Sequence, residues 1–287
     1  MFSRSENASS AAAAVARSVA PLPANMDVEF AYISDLGRVR TGNEDFYGFV
    51  QPDSPERVRS HGWFFALADG VGGHDCGEVA SHLAIECVTE GFRNGAAGES
   101  HRALLGKMVL AANTKVIDAA QAARVNMATT LVTCALRYDR ATVAHVGDSR
   151  CYLLRRGQAV LLTRDHTVAA EQFRLGVLSA SEFEQSETRH VLSRSLGSDF
   201  VVKPDISEHQ VSAGDVLLLC SDGLHGSVSG SEMAAILNGG MELNAAAKRL
   251  VDLANERDGG DNITALIIRV RNVERVGMYR GRPYRLP

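Results

Sequence analysis

From Asp27 the chain alternates: Val28, Phe30 and Tyr32 are separated by Glu29 and Ala31, the period of a half-buried strand. Further apolar stretches predict strands at 46–50, 63–68, 129–136, 142–146, 152–154, 216–220 and 263–270. Helical spacing takes over at 77–93, where Val79, Leu83, Cys87 and Val88 recur about every four residues, and again at 101–124. Two shorter helices are predicted at 231–237 and 244–257. The order is strands, two long helices, strands, two shorter helices and a last strand, with hairpin-like connections at 138–140 and 156–157. That order favours an α+β fold with antiparallel sheets over a βαβ repeat. Between 165 and 195 the chain turns polar and weakly periodic, with short helical pieces near 168–175 and 179–185, and is a candidate lid.

Three segments follow. Residues 1–26 form a Ser/Ala-rich leader whose apolar run, 11–16, is too short for a secretory core or a bilayer span. It reads as disordered, with an organellar transit peptide as the alternative that Glu6 argues against. Residues 27–271 make one domain, and 272–287 a basic tail, solvated or used for docking; from Arg269 onward there are six arginines and one acid. With 45% hydrophobic and 22% charged residues, 287 residues can bury a sizeable core. The net charge of −4 supplies no basic field for a nucleic acid, and no segment is long and apolar enough for membrane insertion. Five cysteines, none in a CxxC pair, point to a reducing compartment without a disulfide framework.

The candidate chemistry sits where strands stop. GWFFALADG ends at Asp69, ATVAHVGDS at Asp148 and DVLLLCSDG at Asp222, while Asp261-Asn262 precedes ITALIIRV. If the last strand runs antiparallel to the others, all four carboxylates gather at one rim. Any one Asp-Gly after a strand is ordinarily a turn, because Asp caps amides and Gly tolerates positive φ; four together weaken that reading. Clustered carboxylates repel and lose hydration, so they call for a cation. Oxygen ligands without His or Cys at suitable spacing indicate Mg²⁺ or Mn²⁺ rather than Zn²⁺. Two such ions about 4 Å apart can share and activate a water for in-line attack on phosphorus.

The motifs SDLGRVRTGNED (34–45), LADGVGGHDCGEVAS (67–81), GDSR (147–150), TRDHT (163–167), LSRSLG (192–197), SDGL (221–224) and GGDNIT (259–264) resemble, in order, those of bacterial PP2C-type (PPM) protein phosphatases. The resemblance runs from about residue 28 to 270. It implies a four-layer αββα sandwich of two antiparallel sheets flanked by helices, with metals at one end. It further implies that Asp69 bridges two Mn²⁺ or Mg²⁺ ions, helped by the carbonyl of Gly70, and that Asp222 and Asp261 complete the set. Glu44 and Asp45 would act mostly through bound waters, Asp45 nearer the ions, and Asp148 would help hold a third, weaker ion. Arg40, four residues before Glu44, would hold the substrate phosphate with its planar fork. His74 is offered either as the acid that protonates the leaving oxygen or as a structural residue. Animal relatives carry their histidine directly after the Asp-Gly, where this chain has Val71. Asn262 would orient Asp261 or the backbone, and His166 reads as structural.

The activity so implied is hydrolysis of phosphoserine and phosphothreonine in proteins by a stand-alone cytoplasmic monomer whose partners are a Ser/Thr kinase and its substrates. Two rivals remain, a non-catalytic scaffold of the same fold and a phosphatase of small metabolites. The C-x₅-R pattern of cysteine phosphatases occurs twice, Cys134 to Arg140 and Cys87 to Arg93, but neither has the glycine-rich loop that would cradle phosphate.

Overall fold

The computed structural model describes residues 26–71, 76–279 and 282–285. The leader before Met26 and His74 lie outside the described residues. The chain opens with β1 (Asp27–Asp35), β2 (Asp45–Val50), α1 (Pro55–Ser60), β3 (Trp63–Val71), α2 (Cys76–Arg93) and α3 (His101–Ala123). It continues through β4 (Ala128–Thr129), β5 (Leu131–Arg137), β6 (Arg140–Val146), β7 (Arg150–Arg155) and β8 (Gln158–Leu161). Two short helices, α4 (Val168–Arg174) and α5 (Ala180–Glu184), and a 3₁₀ turn at Glu187–His190 occupy the polar segment. Then come β9 (Asp205–Gln210), β10 (Val216–Cys220), α6 (Asp222–His225), α7 (Gly230–Leu237), α8 (Leu243–Arg257), β11 (Ile263–Asn272) and the hairpin β12 (Val276–Tyr279) and β13 (Arg282–Arg285).

One sheet has the order β1-β11-β10-β7-β8, the other β2-β3-β5-β6-β9 with β4 added to β3, and all their pairings are antiparallel. The alternation of side chains explains why the central strands read as unbroken apolar runs. In β3, Trp63, Phe65 and Leu67 enter the core between the sheets, whereas Phe64, Ala66 and Ala68 pack outward under α2 and α3. In β11, Leu266, Ile268 and Val270 face inward while Ile263, Ala265 and Ile267 meet α7 and α8. Both faces of each sheet are therefore covered, giving the four-layer αββα sandwich of an α+β fold.

The predicted strands and helices are present within a few residues of their expected ends, with two kinds of difference. The stretch 129–136 is broken into β4 and β5 at Thr130, for a reason that belongs to the site. Helices α1 and α6, strands β8 and β9, and the hairpin β12–β13, which falls within the expected basic tail, are additional, each strand or helix being six residues or fewer. The β7–β8 turn places Arg156 and Gly157 at φ 52° and 76°, as a tight two-residue hairpin requires.

Candidate metal centre

Antiparallel pairing brings the strand-end aspartates together. Asp45 opens β2 directly opposite Asp69 near the end of β3, and by alternation both share the inner face with Tyr47, Phe49, Phe65 and Leu67. Asp222 follows β10, and Asp261 precedes β11, which runs antiparallel to β10, so both reach the same rim from the other sheet. Asp148 follows β6. The rim thus receives carboxylates from both layers of the sandwich, as the order of the segments predicted.

These groups pay for their proximity in basicity. Burial first, then the charges of Asp222 and Asp261, push Asp45 up to about 7, although Ser221 and Thr264 pull it back by hydrogen bonding. Asp69 is raised well above the ordinary carboxylate range by burial and by Asp45, Asp222, Asp148 and Asp261. Burial and Asp222 lift Asp148 to about 7, and burial followed by Asp261 raises Asp222. Asp45 Oδ1 and Asp222 Oδ1 are buried with no hydrogen-bond partner among the described residues. Buried acceptors without donors are costly. An all-oxygen set with orphaned, negatively charged acceptors fits a hard divalent cation such as Mn²⁺ or Mg²⁺.

The surrounding hydrogen bonds hold backbone and carboxylates in place. Ser221 Oγ donates to Asp45 Oδ2 at 2.7 Å and accepts from the Thr264 N–H at 2.9 Å. The Asp69 N–H donates to Thr130 Oγ1 at 2.9 Å, and the Asp69 carbonyl accepts from the Thr130 N–H at 2.8 Å and Thr129 Oγ1 at 2.9 Å. This exchange interrupts the β4–β5 strand, because Thr130 serves Asp69. Thr130 Oγ1 also lies 2.7 Å from Ser149 Oγ, next to Asp148. The only signal of Ser221 and Thr130 in the sequence is adjacency to the aspartate motifs, in SDG and in the threonine pair before β5.

Asn262 does what its place beside Asp261 suggested. Its N–H donates to Asp261 Oδ1 at 2.8 Å, its Nδ2 to the carbonyls of Leu36 and Gly42 at 3.0 Å each, and its Oδ1 accepts from the Glu44 N–H at 2.8 Å. It therefore pins the 36–44 loop that carries Arg40 and Glu44. Arg40 reaches the rim, where Nη2 lies 2.8 Å from Asp261 Oδ2. A Cβ on Gly77 would lie 2.8 Å from Glu44 Cδ, so Glu44 is directed at the start of α2. Gly70 has the same kind of constraint: a Cβ there would meet the Gly77 carbonyl oxygen at 2.2 Å.

The two C-x₅-R matches do not form a site. Cys134 is wholly buried in β5, with Arg140 across the hairpin at the start of β6, and Cys87 and Arg93 lie along α2.

Residues 33–263 match the family model described as Protein phosphatase 2C. The serine/threonine phosphatase stp of Listeria innocua is 33% identical over 262 residues, covering 90% of this chain and 99% of that protein. Among solved structures, the S. agalactiae serine/threonine phosphatase has a TM-score of 0.79 and 30% identity, covering 85% of this chain and 100% of its own. The catalytic domain of the serine threonine protein phosphatase PstP, solved in complex with two manganese ions, has a TM-score of 0.73 and 31% identity, covering 86% and 100%.

Proposed function

The chain belongs to the protein phosphatase 2C family and is a Mn²⁺- or Mg²⁺-dependent protein serine/threonine phosphatase, and we propose that it reverses the action of a serine/threonine kinase through the following division of labour. Asp69, Asp222 and Asp261 hold two ions, with the Gly70 carbonyl beside Asp69. Asp45 and Glu44 act mostly through water, and Asp148 serves a third, weaker position. The observation that carries this reading is the convergence of aspartates from both sheets on one rim, with two buried carboxylate oxygens left without a donor among the described residues. Two bound ions would supply a water of lowered pKa and offset the charge of the phosphoryl oxygens.

The protein's own part is binding and orientation. Arg40 presents a planar guanidinium suited to two phosphate oxygens. Its pairing with Asp261 is half exposed, so exchanging that partner for phosphate costs little. Asn262 keeps the Arg40 loop and Asp261 in fixed relation. The water oxygen bonds to phosphorus as the bond to the serine or threonine oxygen breaks, and that oxygen takes up a proton, releasing inorganic phosphate and a free hydroxyl. No cysteine nucleophile takes part. Among the described residues no helix is long and apolar enough to cross a membrane. A cytoplasmic monomer acting on a kinase and its phosphorylated targets is the setting we propose.

The test is phosphate release from a phosphothreonine peptide by purified protein, with Mn²⁺ and then with excess EDTA, beside a small phosphoester. Metal-dependent release favouring the peptide supports the reading. Turnover of the small phosphoester alone would move the substrate to metabolites, and silence from folded, metal-loaded protein would favour a scaffold.

A further inference from the structure

The turn between β6 and Asp148 is a single glycine. Gly147 has φ +103°, and a Cβ there would lie 2.6 Å from the Thr130 side chain, so the turn can carry no side chain of its own to anchor it. His166, 19 residues further along, holds it instead. The Gly147 N–H donates to His166 Nδ1 at 3.2 Å, and the Gly147 carbonyl accepts from the His166 N–H at 3.0 Å. The His166 carbonyl in turn accepts from the Ser193 N–H at 2.8 Å. The imidazole is completely buried and stacks on His145, with centroids 4.7 Å apart and planes 15° from parallel.

The tautomer follows from the partners. A backbone N–H can donate only to a bare Nδ1, so neutral His166 carries its proton on Nε2. Nε2 lies 3.6 Å from Asp205 Oδ2, too far for a hydrogen bond, so the contact is electrostatic. Asp205 is held in place by Arg164 at 2.6 Å and Arg194 at 3.2 Å. His145, His166 and Asp205 bring ligand atoms within 4.8 Å of one another. A cation is nonetheless disfavoured there, because Nδ1 is committed to Gly147, Nε2 is protonated and two guanidiniums hold the carboxylate.

We propose that His166 is a positioning residue for Asp148: by gripping the Gly147 peptide it sets the direction in which the Asp148 carboxylate faces the other aspartates, and with it the affinity of the metal position that Asp148 serves. This rests on the reading of Asp148 as a ligand. Groups that orient ligands from behind typically change metal affinity about 10–100-fold when removed.

Mn²⁺ binding to the full chain, measured by calorimetry, tests it with the variants His166→Leu, His166→Asn and Asp148→Asn. Asp148→Asn should abolish the weakest Mn²⁺ binding, and His166→Leu should weaken it about 10-fold or more, with the tighter binding unchanged in both. His166→Asn, whose side-chain oxygen can take the place of Nδ1, should restore most of it. A merely structural histidine would lower the melting temperature and leave the weak affinity alone. Wild-type weak binding in His166→Leu, alongside its loss in Asp148→Asn, overturns the proposal. Weak binding that survives in Asp148→Asn shows instead that the ligand reading of Asp148 fails, and takes the proposal with it. Should His166→Leu not fold, ¹⁵N NMR of the wild-type imidazole decides: an Nε2–H tautomer supports the proposal and an Nδ1–H tautomer refutes it.

Discussion

Removing one negative charge from the rim should make the metal-free protein more stable. Asp45 is the residue to change, because it is 5% exposed and has one oxygen satisfied and one without a partner among the described residues. Its folded pKa of about 7 lies above the ordinary 3.8. A raised folded pKa means that the stability is fully present below about pH 4 and is lost as pH rises through about 7. The difference between the two values corresponds to a ceiling of about 4 kcal/mol, at about 1.4 kcal/mol per pH unit. Asp69 and Asp222 share the same protons, so roughly half of that, about 2 kcal/mol, is expected from one site. In Asp45→Asn the amide oxygen can still accept from Ser221, and the amide N–H groups can donate to the neighbouring carboxylates.

Thermal unfolding in EDTA is the assay. At pH 8 Asp45→Asn should melt about 4–6 °C above wild type, and the gap should close as pH falls from about 7 toward 4. Mn²⁺ should reverse the ranking, since only binding to the folded state stabilises it and wild type binds more tightly. A variant that melts at or below wild type in EDTA at pH 8, with no dependence of the gap on pH, would refute the view that these carboxylates are held together at a desolvation cost.

Four other outcomes are expected. Asp69→Asn should lose about 1,000-fold or more in phosphate release at saturating Mn²⁺, by analogy with the removal of other transition-state-stabilising groups, whereas Cys134→Ser should keep its activity while melting lower, because a hydroxyl replaces a buried thiol. Arg40→Ala should raise the KM for a phosphopeptide about 10–100-fold, the equivalent of about 1.5–3 kcal/mol for charge-assisted hydrogen bonds, with a smaller effect on kcat; an unchanged KM would remove Arg40 from phosphate binding. Gly70→Ala should destabilise the protein by about 3 kcal/mol, since its Cβ would meet backbone rather than a yielding side chain, and near-wild-type melting would show that α2 can shift.

What was readable in advance was whatever depends on local period. The strands β3, β10 and β11 are buried on both faces, so they read as apolar runs, and the aspartates at their ends stood out against them. Helices α2, α3 and α8 carry enough apolar residues on one face to be recognised. Strand β9, DISEHQ, has no buried residue and lies at a sheet edge, so no period announces it. Helix α1 rests on its start instead, with Ser54 capping the Arg57 N–H and Pro55 in the first turn. The tail hairpin β12–β13 contains Pro283, which argues against a strand but is tolerated at an edge.

The site divides along the same line. A carboxylate at a strand end can be read from the strand, but the group that orients it is chosen by tertiary proximity. Ser221 serves Asp45 across 176 residues, Asn262 serves Glu44 across 218, and Thr130 serves Asp69 across 61. Ser221 and Thr130 have short polar side chains whose individual pattern in the sequence is that of any cap or turn, whereas Asn262 is legible through its place beside Asp261. Their contribution is directional: Ser221 holds the Asp45 carboxylate itself, while Thr130 and Asn262 hold the backbone of Asp69 and Glu44, so the carboxylates have less freedom to turn away from one another and the cluster keeps its charge aimed at one point. That fixed aim makes the metal-free rim costly, and the same arrangement makes divalent binding the efficient way to relieve it.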